Sequence, residues 1–199
     1  PTGSFVYIVL DAAGRSSNKA LSDPRVRKAI WMGLDRDLIN KGIVPGGQQG
    51  VAEKMMKLCF DHNIGCDGSN NFPAFDPAGA KKLLAEAGYP NGFTFKMQFC
   101  SCSPDHSELA PLLAAYLEQI GVKAELQPTE YGAFLSAMTT RKHSAGYLMN
   151  SSHTNPTTSI RKSFITGQTW NPAMYTDPKY DAKMDAVIKE RDEEKRKVM

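Results

Sequence analysis

The sequence predicts an α/β fold, a mixed sheet flanked by helices, on three observations. The first is the run Phe75 to Phe99, FDPAGAKKLLAEAGYPNGFTFKMQF, which passes from helix to strand with a clear boundary at each step. The second is another helix-to-strand passage, where an apolar stripe closed by Gly121 leads into alternating Val122, Ala124 and Leu126. The third is the alternation of strands and helices along the chain, which favours strands paired partly in parallel through right-handed crossovers.

Phe5 to Leu10 is an apolar run and reads as the first strand. Ser22-Asp23-Pro24 opens a helix with Val26, Ala29, Ile30, Gly33 and Leu34 on one side. Asp35 caps a continuation through Leu38 and Ile39 that ends near Gly42. Gly42–Gly50 and Asp61–Pro73 read as loops. In the run from Phe75, Asp76 supplies a cap, and Pro77 suits a first turn where its missing N–H costs nothing. Ala80, Leu83, Leu84 and Ala87 recur at the three-and-four spacing of a buried helix face. Gly88 supplies the left-handed residue that ends the helix, and Pro90 stops its continuation. Phe93, Phe95, Met97 and Phe99 then alternate with Thr94, Lys96 and Gln98, the period of a half-buried strand.

A helix from about Glu108 follows, using Leu109, Leu112, Leu113, Tyr116, Leu117 and Ile120. The strand Val122–Leu126 comes next, then a helical Tyr131–Met138 and a short strand at Gly146–Met149. Ser151–Thr158 reads as polar loop, with a short helix near Ser159–Phe164. Asp177-Pro178 repeats the capped start, and Tyr180, Met184 and Ile188 form its stripe. From Lys189 to Lys197 every residue is charged, which reads as a solvated helix end.

A chain of 199 residues can bury a core as one domain, or at most two small ones. Hydrophobic residues at 41% and charged residues at 23% suit a globular protein. A net charge of +3, without clustered Lys and Arg among aromatics, gives no argument for nucleic acid. No apolar run reaches membrane-spanning length. The abrupt ends, at Pro1-Thr2-Gly3-Ser4 and after Lys179–Met199, suggest a piece of a longer protein.

Chemistry is harder to find. Neither a G-x-S-x-G elbow nor a phosphate-binding G-x-x-x-x-G-K-[ST] loop occurs, and H-E-x-x-H is absent. Asp67, Ser69 and Asn71 fail as a calcium loop, because Phe72 stands where glycine is needed and Ala78 where a bidentate glutamate is. His62, His106, His143 and His153 lie in loops or at element ends and read as surface histidines. The cysteines form two local pairs, Cys59/Cys66 and Cys100/Cys102, with three connectivities open. A small disulfide suits the Cys59–Cys66 loop in an oxidising compartment, buried free thiols remain an alternative, and the spacings are poor for zinc. No metal and no cofactor are expected. Trp170 is expected in the core, and Arg25 and Arg27 in structural salt bridges.

At this point a family resemblance becomes visible. Leu21 to Ile30, LSDPRVRKAI, with Leu34-Asp35-Arg36 and Ile39, resembles a D-x-R-V-R-x-A-I segment of the family 5 extracellular solute-binding proteins, the peptide, nickel and opine receptors of ABC importers. Phe75 to Phe93 resembles the same family's Y-D-P-x-K-A-K-x-L-L-x-E-A-G-Y-P-N-G-F signature almost residue for residue. Leu109–Leu126 resembles its following helix and strand, and Asn171-Pro172 with Tyr180–Ile188 its late segment.

The resemblance implies a periplasmic-binding-protein-like lobe. Residues 1–199 are then a single α/β lobe, most of the second lobe of a two-lobed receptor, whose first lobe and C-terminal return lie outside this sequence. It implies a solute-binding component of an ABC importer, holding a small solute in an interlobe cleft without catalysis. The partners are the solute, the ABC transporter permease and the remaining lobe of the same chain, with no nucleic acid and no transmembrane segment in this stretch of sequence. The location implied is periplasmic or extracellular, with lipid anchoring left open. The alternative is a hydrolase using scattered Ser, His and Asp residues, which no motif supports.

Cleft loops need donors, acceptors and some apolar surface at the mouth of a rigid sheet. Asn150–Thr158, NSSHTNPTT, is the best such loop, and Asn150, Ser151, Ser152, His153 and Asn155 are the expected ligand-binding residues. In the family an acidic residue, an aromatic and D/E-P often stand here, the acid pairing with a peptide's α-amino group. Aligning Pro156 with that proline places Ser152 at the acid, His153 at the aromatic and Asn155 before the proline. A neutral hydroxyl cannot balance a desolvated ammonium, so neutral or anionic ligands are favoured: a sugar, an opine or an amine-blocked conjugate.

Overall fold

The computed structural model describes residues 4–16, 18–43, 72–152 and 163–199. Among these, four strands form one sheet in the order β1-β4-β2-β3. β1 (Ser4–Leu10) runs antiparallel to β4 (Gly146–Ser152), whereas β2 (Phe93–Cys100) is parallel to β3 (Val122–Thr129) and to β4. The mixed sheet expected from the sequence is present. Its antiparallel member is the first strand.

The helices start where aspartate and proline direct. α1 (Pro24–Met32), α3 (Pro77–Glu86) and α6 (Pro178–Lys189) each open with proline behind an aspartate cap. Asp23 accepts from the Arg25 amide and Asp76 from the Gly79 amide, both at 2.8 Å, and Asp177 from the Lys179 amide at 2.9 Å. α2 (Arg36–Ile43) is opened by Asp35, which accepts from the Leu38 amide at 3.0 Å. α4 (Pro104–Gln119) begins four residues before the expected Glu108, because Pro104 takes the first-turn position that proline favours. α5 spans Tyr131–Thr139. The charged run after α6 does not continue that helix. Glu190 is extended and Asp192 caps a separate short α7 (Glu193–Lys197).

The sheet packs on both faces. One face carries Phe95, Met97, Phe99, Val122 and Leu148 against Val26, Ile30, Leu84, Leu113 and Leu117 of α1, α3 and α4. On the other, Val9, Tyr147 and Met149 pack with Met138, Phe134 and Leu135 of α5 and with Ala173. Alternate side chains of a strand point to opposite faces, so β1 and β4 feed both clusters. β2 departs from its expected simple alternation, because Gln98 is also buried, with Cys100 beyond it. The Gln98 amide donates to Thr129 Oγ1 at 3.1 Å and its carbonyl accepts from the Ser144 amide at 3.2 Å. A polar side chain satisfied at both ends can be buried at little cost. β3 runs past the expected Leu126 to Thr129 and tolerates Pro128 because it is an edge strand.

Expected loops 44–50 and 61–71, the Cys59/Cys66 pair, His62, and the start of the helix near Ser159 lie outside the described residues. Arg25 does form the expected ion pair, with Asp23 at 2.7 Å, whereas Arg27 donates to the Leu21 and Ser22 carbonyls. Trp170 is 44% exposed rather than in the core. Its loop is held by Asn171, 1% exposed, which bonds the Ile165 and Tyr175 carbonyls and the Tyr175 amide, so the indole is not needed as an anchor. His106 and His143 are buried, not surface histidines, since both find backbone partners inside the fold.

Two glycines with positive φ separate backbone strain from crowding. Gly88 (φ +93°) has open space where a Cβ would go, whereas at Gly92 (φ +72°) a Cβ would lie 1.7 Å from the Gly121 carbonyl oxygen. In urea unfolding, Gly88→Ala is expected to cost about 1–2 kcal/mol, and Gly92→Ala about 3 kcal/mol or more.

Candidate functional site

Because β2, β3 and β4 are mutually parallel, their C-terminal ends, at Cys100, Thr129 and Ser152, open on one edge of the sheet. Open parallel sheets hold ligands outside this edge. β4 reaches further than its neighbour. Met97 pairs with Gly146 and Gln98 with Tyr147, so Asn150–Ser152 continue beyond the level of Cys100. Among the described residues they pair there with β1 alone, as Asn150 with Val6, Ser151 with Phe5 and Ser152 with Ser4. The result is a two-stranded ribbon projecting about 10 Å past the sheet, at about 3.3 Å per residue.

This corrects the expected boundary of β4. Asn150, Ser151 and Ser152 are strand, not loop, since β1 offers a complete ladder partner as far as Ser4. Their backbones belong to the ladder, at the carboxyl end of β4. His153 and Asn155 lie outside the described residues.

The turn after β2 completes the edge. The Ser101 amide and hydroxyl both donate to the Thr129 carbonyl, at 3.0 and 3.3 Å, tying the ends of β2 and β3. Cys100 and Cys102 form a disulfide across Ser101. The Cys100 amide donates to His106 Nδ1 at 3.3 Å, and the Ser103 amide donates to the Cys100 carbonyl at 3.2 Å. Tyr131, two residues past Thr129, is 61% exposed at the start of α5. From the sequence Tyr131 reads only as the start of a helix, and its exposure at this edge comes from the fold.

A polar cluster lies at the amino end of β4, level with the middle of β2. Asp11, fully buried, accepts from the Ser16 amide at 2.6 Å and from Arg15 Nε at 3.2 Å. Arg15 Nη1 donates to the Arg141 carbonyl at 2.8 Å, so residues 126 apart are joined. His143 Nδ1 lies 2.8 Å from the Ser144 carbonyl and Nε2 2.9 Å from the Pro172 carbonyl. Burial holds the imidazole below its ordinary range, outweighing the two carbonyls that favour its charged form, while Arg15 adds to the depression. Neutral imidazole has one N–H, so it donates to one of the two carbonyls at a time. For Asp11, burial pushes the carboxyl up, and the Ser16 and Arg15 contacts overcome that and hold it below its ordinary 3.8.

His143, Asp11 and Ser144 do not form a nucleophile–base–acid relay. Both ring nitrogens face carbonyls, Asp11 faces Arg15 and Ser16, and the Ser144 hydroxyl donates to Gln127 Oε1. Among the described residues no group of three or more His, Cys, Asp or Glu is arranged to hold a metal, and no helix is long and apolar enough to cross a membrane.

Comparison with known proteins agrees with this geometry. Residues 1–172 match the bacterial extracellular solute-binding proteins, family 5 Middle. The chain belongs to this family. It is 31% identical over 119 residues to the glutathione-binding protein GsiB of Pectobacterium atrosepticum, covering 58% of this chain and 22% of that one. It is 28% identical over 183 residues to the periplasmic oligopeptide-binding protein OppA of Escherichia coli, covering 88% of this chain and 33% of the relative. In fold it is similar to HbpA2 from Haemophilus parasuis, with a TM-score of 0.84 and 23% identity over 99% of this chain and 39% of the other. It is likewise similar to the periplasmic binding protein DppA from Helicobacter pylori in complex with the peptide STSA, with a TM-score of 0.83 and 22% identity over 98% of this chain and 37% of that one. The chain thus spans about a fifth to a third of the length of these curated relatives.

The polar cluster at the amino end of β4 is testable. Asp11→Ala removes the acceptor of the part-buried Arg15 Nε and of the Ser16 amide and is expected to cost about 2 kcal/mol in chemical unfolding. The pH dependence follows from the same contacts. Asp11 is depressed in the folded state, so its contribution is complete above the ordinary carboxylate pKa of 3.8 and is lost as pH falls through the folded value. His143, depressed below 6.5, adds stability above that pH that fades as acid charges it in the unfolded chain. Melting temperature against pH should decline below about 6.5 and again below about 4, with the second decline reduced in Asp11→Ala.

Proposed function

We propose that this protein is the solute-binding component of an ABC importer, holding a small solute in a cleft between two lobes and performing no catalysis. The observation that carries the reading is the carboxyl edge, where parallel strands end together and the β1–β4 ribbon projects beyond them. A pair of adjacent strands that projects from a sheet bends as a unit without breaking the core, which suits a segment near a hinge. Residues 1–199 then act as most of one lobe, the other lobe belongs to the same polypeptide, and a permease receives the solute. The receptor works in the periplasm or at the cell exterior.

Relatives bearing the names glutathione-binding protein, periplasmic oligopeptide-binding protein and heme-binding protein A mark peptide-like and larger solutes as the field of candidates. Within that field, Ser152 at the family's acidic position favours a ligand that presents no free ammonium there. Thermal-shift screening of the full-length receptor against peptides, N-acetylated peptides, sugars and opines tests the reading. A ligand at a hundred times its Kd stabilises the fold by about 2.7 kcal/mol. A full-length receptor that responds to none of these classes, but is labelled by a fluorophosphonate, would overturn it in favour of a hydrolase.

Two substitutions probe the edge. Ser152→Asp restores a carboxylate and is expected to improve binding of a free-amine peptide relative to its N-acetylated form by about ten-fold, the worth of one charge-assisted hydrogen bond. Tyr131→Ala is expected to weaken solute binding about five-fold in calorimetry through loss of one aromatic contact. Since the ring is exposed, stability should stay within about 0.5 kcal/mol of the parent.

A further inference from the structure

The Cys100–Cys102 disulfide does not behave, by its position, as a structural staple. It encloses Ser101 alone. The stabilisation a crosslink gives through the unfolded chain grows with the loop it closes, and this is close to the smallest loop available. The turn is already held by other means. Ser101 donates twice to the Thr129 carbonyl, the Ser103 amide donates to the Cys100 carbonyl, and the Cys100 amide donates to His106 Nδ1. Breaking the S–S bond therefore leaves every one of these hydrogen bonds possible, and no distant elements are released.

The two sulfurs are also unequal. Cys100 is 2% exposed, whereas Cys102 is an exposed residue. Cys102 stands two positions before the first residue of the sixteen-residue α4, whose Ser103 cap residue makes no side-chain capping bond. The positive end of a helix lowers the pKa of a nearby thiol and favours its thiolate, with Asp105 in the first turn opposing part of that effect. Exposure makes Cys102 the sulfur a thiol can reach, and a favoured thiolate there helps Cys102 leave when a second thiol resolves a mixed disulfide on it.

We propose that the Cys100–Cys102 bridge is a thiol-exchange site, opened by low-molecular-weight thiols of the glutathione type through attack on the Cys102 sulfur. The attacking thiolate bonds to Cys102 Sγ, the Cys100–Cys102 bond breaks, and the Cys100 sulfur leaves with the electron pair and takes up a proton. The product is a mixed disulfide on Cys102. A second thiol attacks the small-molecule sulfur of that mixed disulfide and releases the oxidised dimer of the thiol. Cys102 is left as a thiolate. Two thiols are oxidised and one protein disulfide is reduced, and the reverse sequence closes the bridge. The site lies on the open carboxyl edge, but the exchange does not depend on which solute the receptor carries.

The test is native thiol trapping on the full-length protein. Folded protein is equilibrated in graded mixtures of reduced and oxidised glutathione, alkylated, digested and mapped by mass spectrometry. The peptide with Cys100 and Cys102 is expected to go from fully oxidised to doubly alkylated while the protein stays folded, its melting temperature falling by no more than about 6 °C. Cys100→Ser is expected to take up one glutathionyl group on Cys102 under the same conditions, and Cys102→Ser to leave Cys100 unmodified until denaturant is added. A bridge that remains oxidised at every glutathione ratio until the protein is unfolded would overturn the proposal. So would equal glutathionylation of Cys100 and Cys102 in the two variants, and if either variant fails to fold the parent's native trapping still decides.

Discussion

The antiparallel pairing of β1 with β4 is the contact on which the rest of this structure depends. It joins residues 4–10 to residues 146–152 in continuous register, across more than a hundred residues of intervening chain. Closing so long a loop costs only slowly more entropy than closing a short one, about 0.6 kcal/mol per doubling, so a seven-residue ladder can bear it. Once made, the ladder places Val9, Tyr147 and Met149 on one face and Ile8, Leu10 and Leu148 on the other. Both halves of the core are built on it. The same pairing also extends past β2, which turns a sheet edge into a projecting ribbon.

The two ends of the sheet consequently differ in physical character. At the amino end of β4 the polar groups are largely buried and mutually satisfied: Asp11 with Arg15 and Ser16, and His143 with the Ser144 and Pro172 carbonyls. Buried polar contacts of this kind specify one arrangement, because any slip leaves a charge or a carbonyl without a partner. At the carboxyl end the groups are turns, a short disulfide, an exposed tyrosine and the start of two helices.

Local elements were legible in the sequence wherever a boundary is set by a single residue's backbone chemistry. Asp23, Asp76 and Asp177 cap the helices their Asp-Pro pairs announce, and Gly88 and Gly92 take the positive φ that their turns demand. Boundaries set by a neighbour in space were not legible. β4 was expected to stop at Met149 and continues to Ser152 because β1 lies beside it. Gln98 looked like the wet side of a strand and is buried, because Thr129 and Ser144 come to meet it. At the carboxyl edge the local pair Cys100/Cys102 was visible in the sequence but its bonding was not, because connectivity depends on which sulfurs the fold brings together.

The sequence by itself determined the order of strands and helices, the caps and turns between them, and membership of a receptor family. All of these are written in residues within a few positions of one another. Only the tertiary structure decided that the first strand is antiparallel in an otherwise parallel sheet, that Asp11, Arg15 and His143 meet, and that the ends of β2, β3 and β4 share an edge. The physical reason is range. Capping, chirality and periodicity act within a turn or two of chain, whereas desolvation and long-range pairing act between residues that the fold alone brings together.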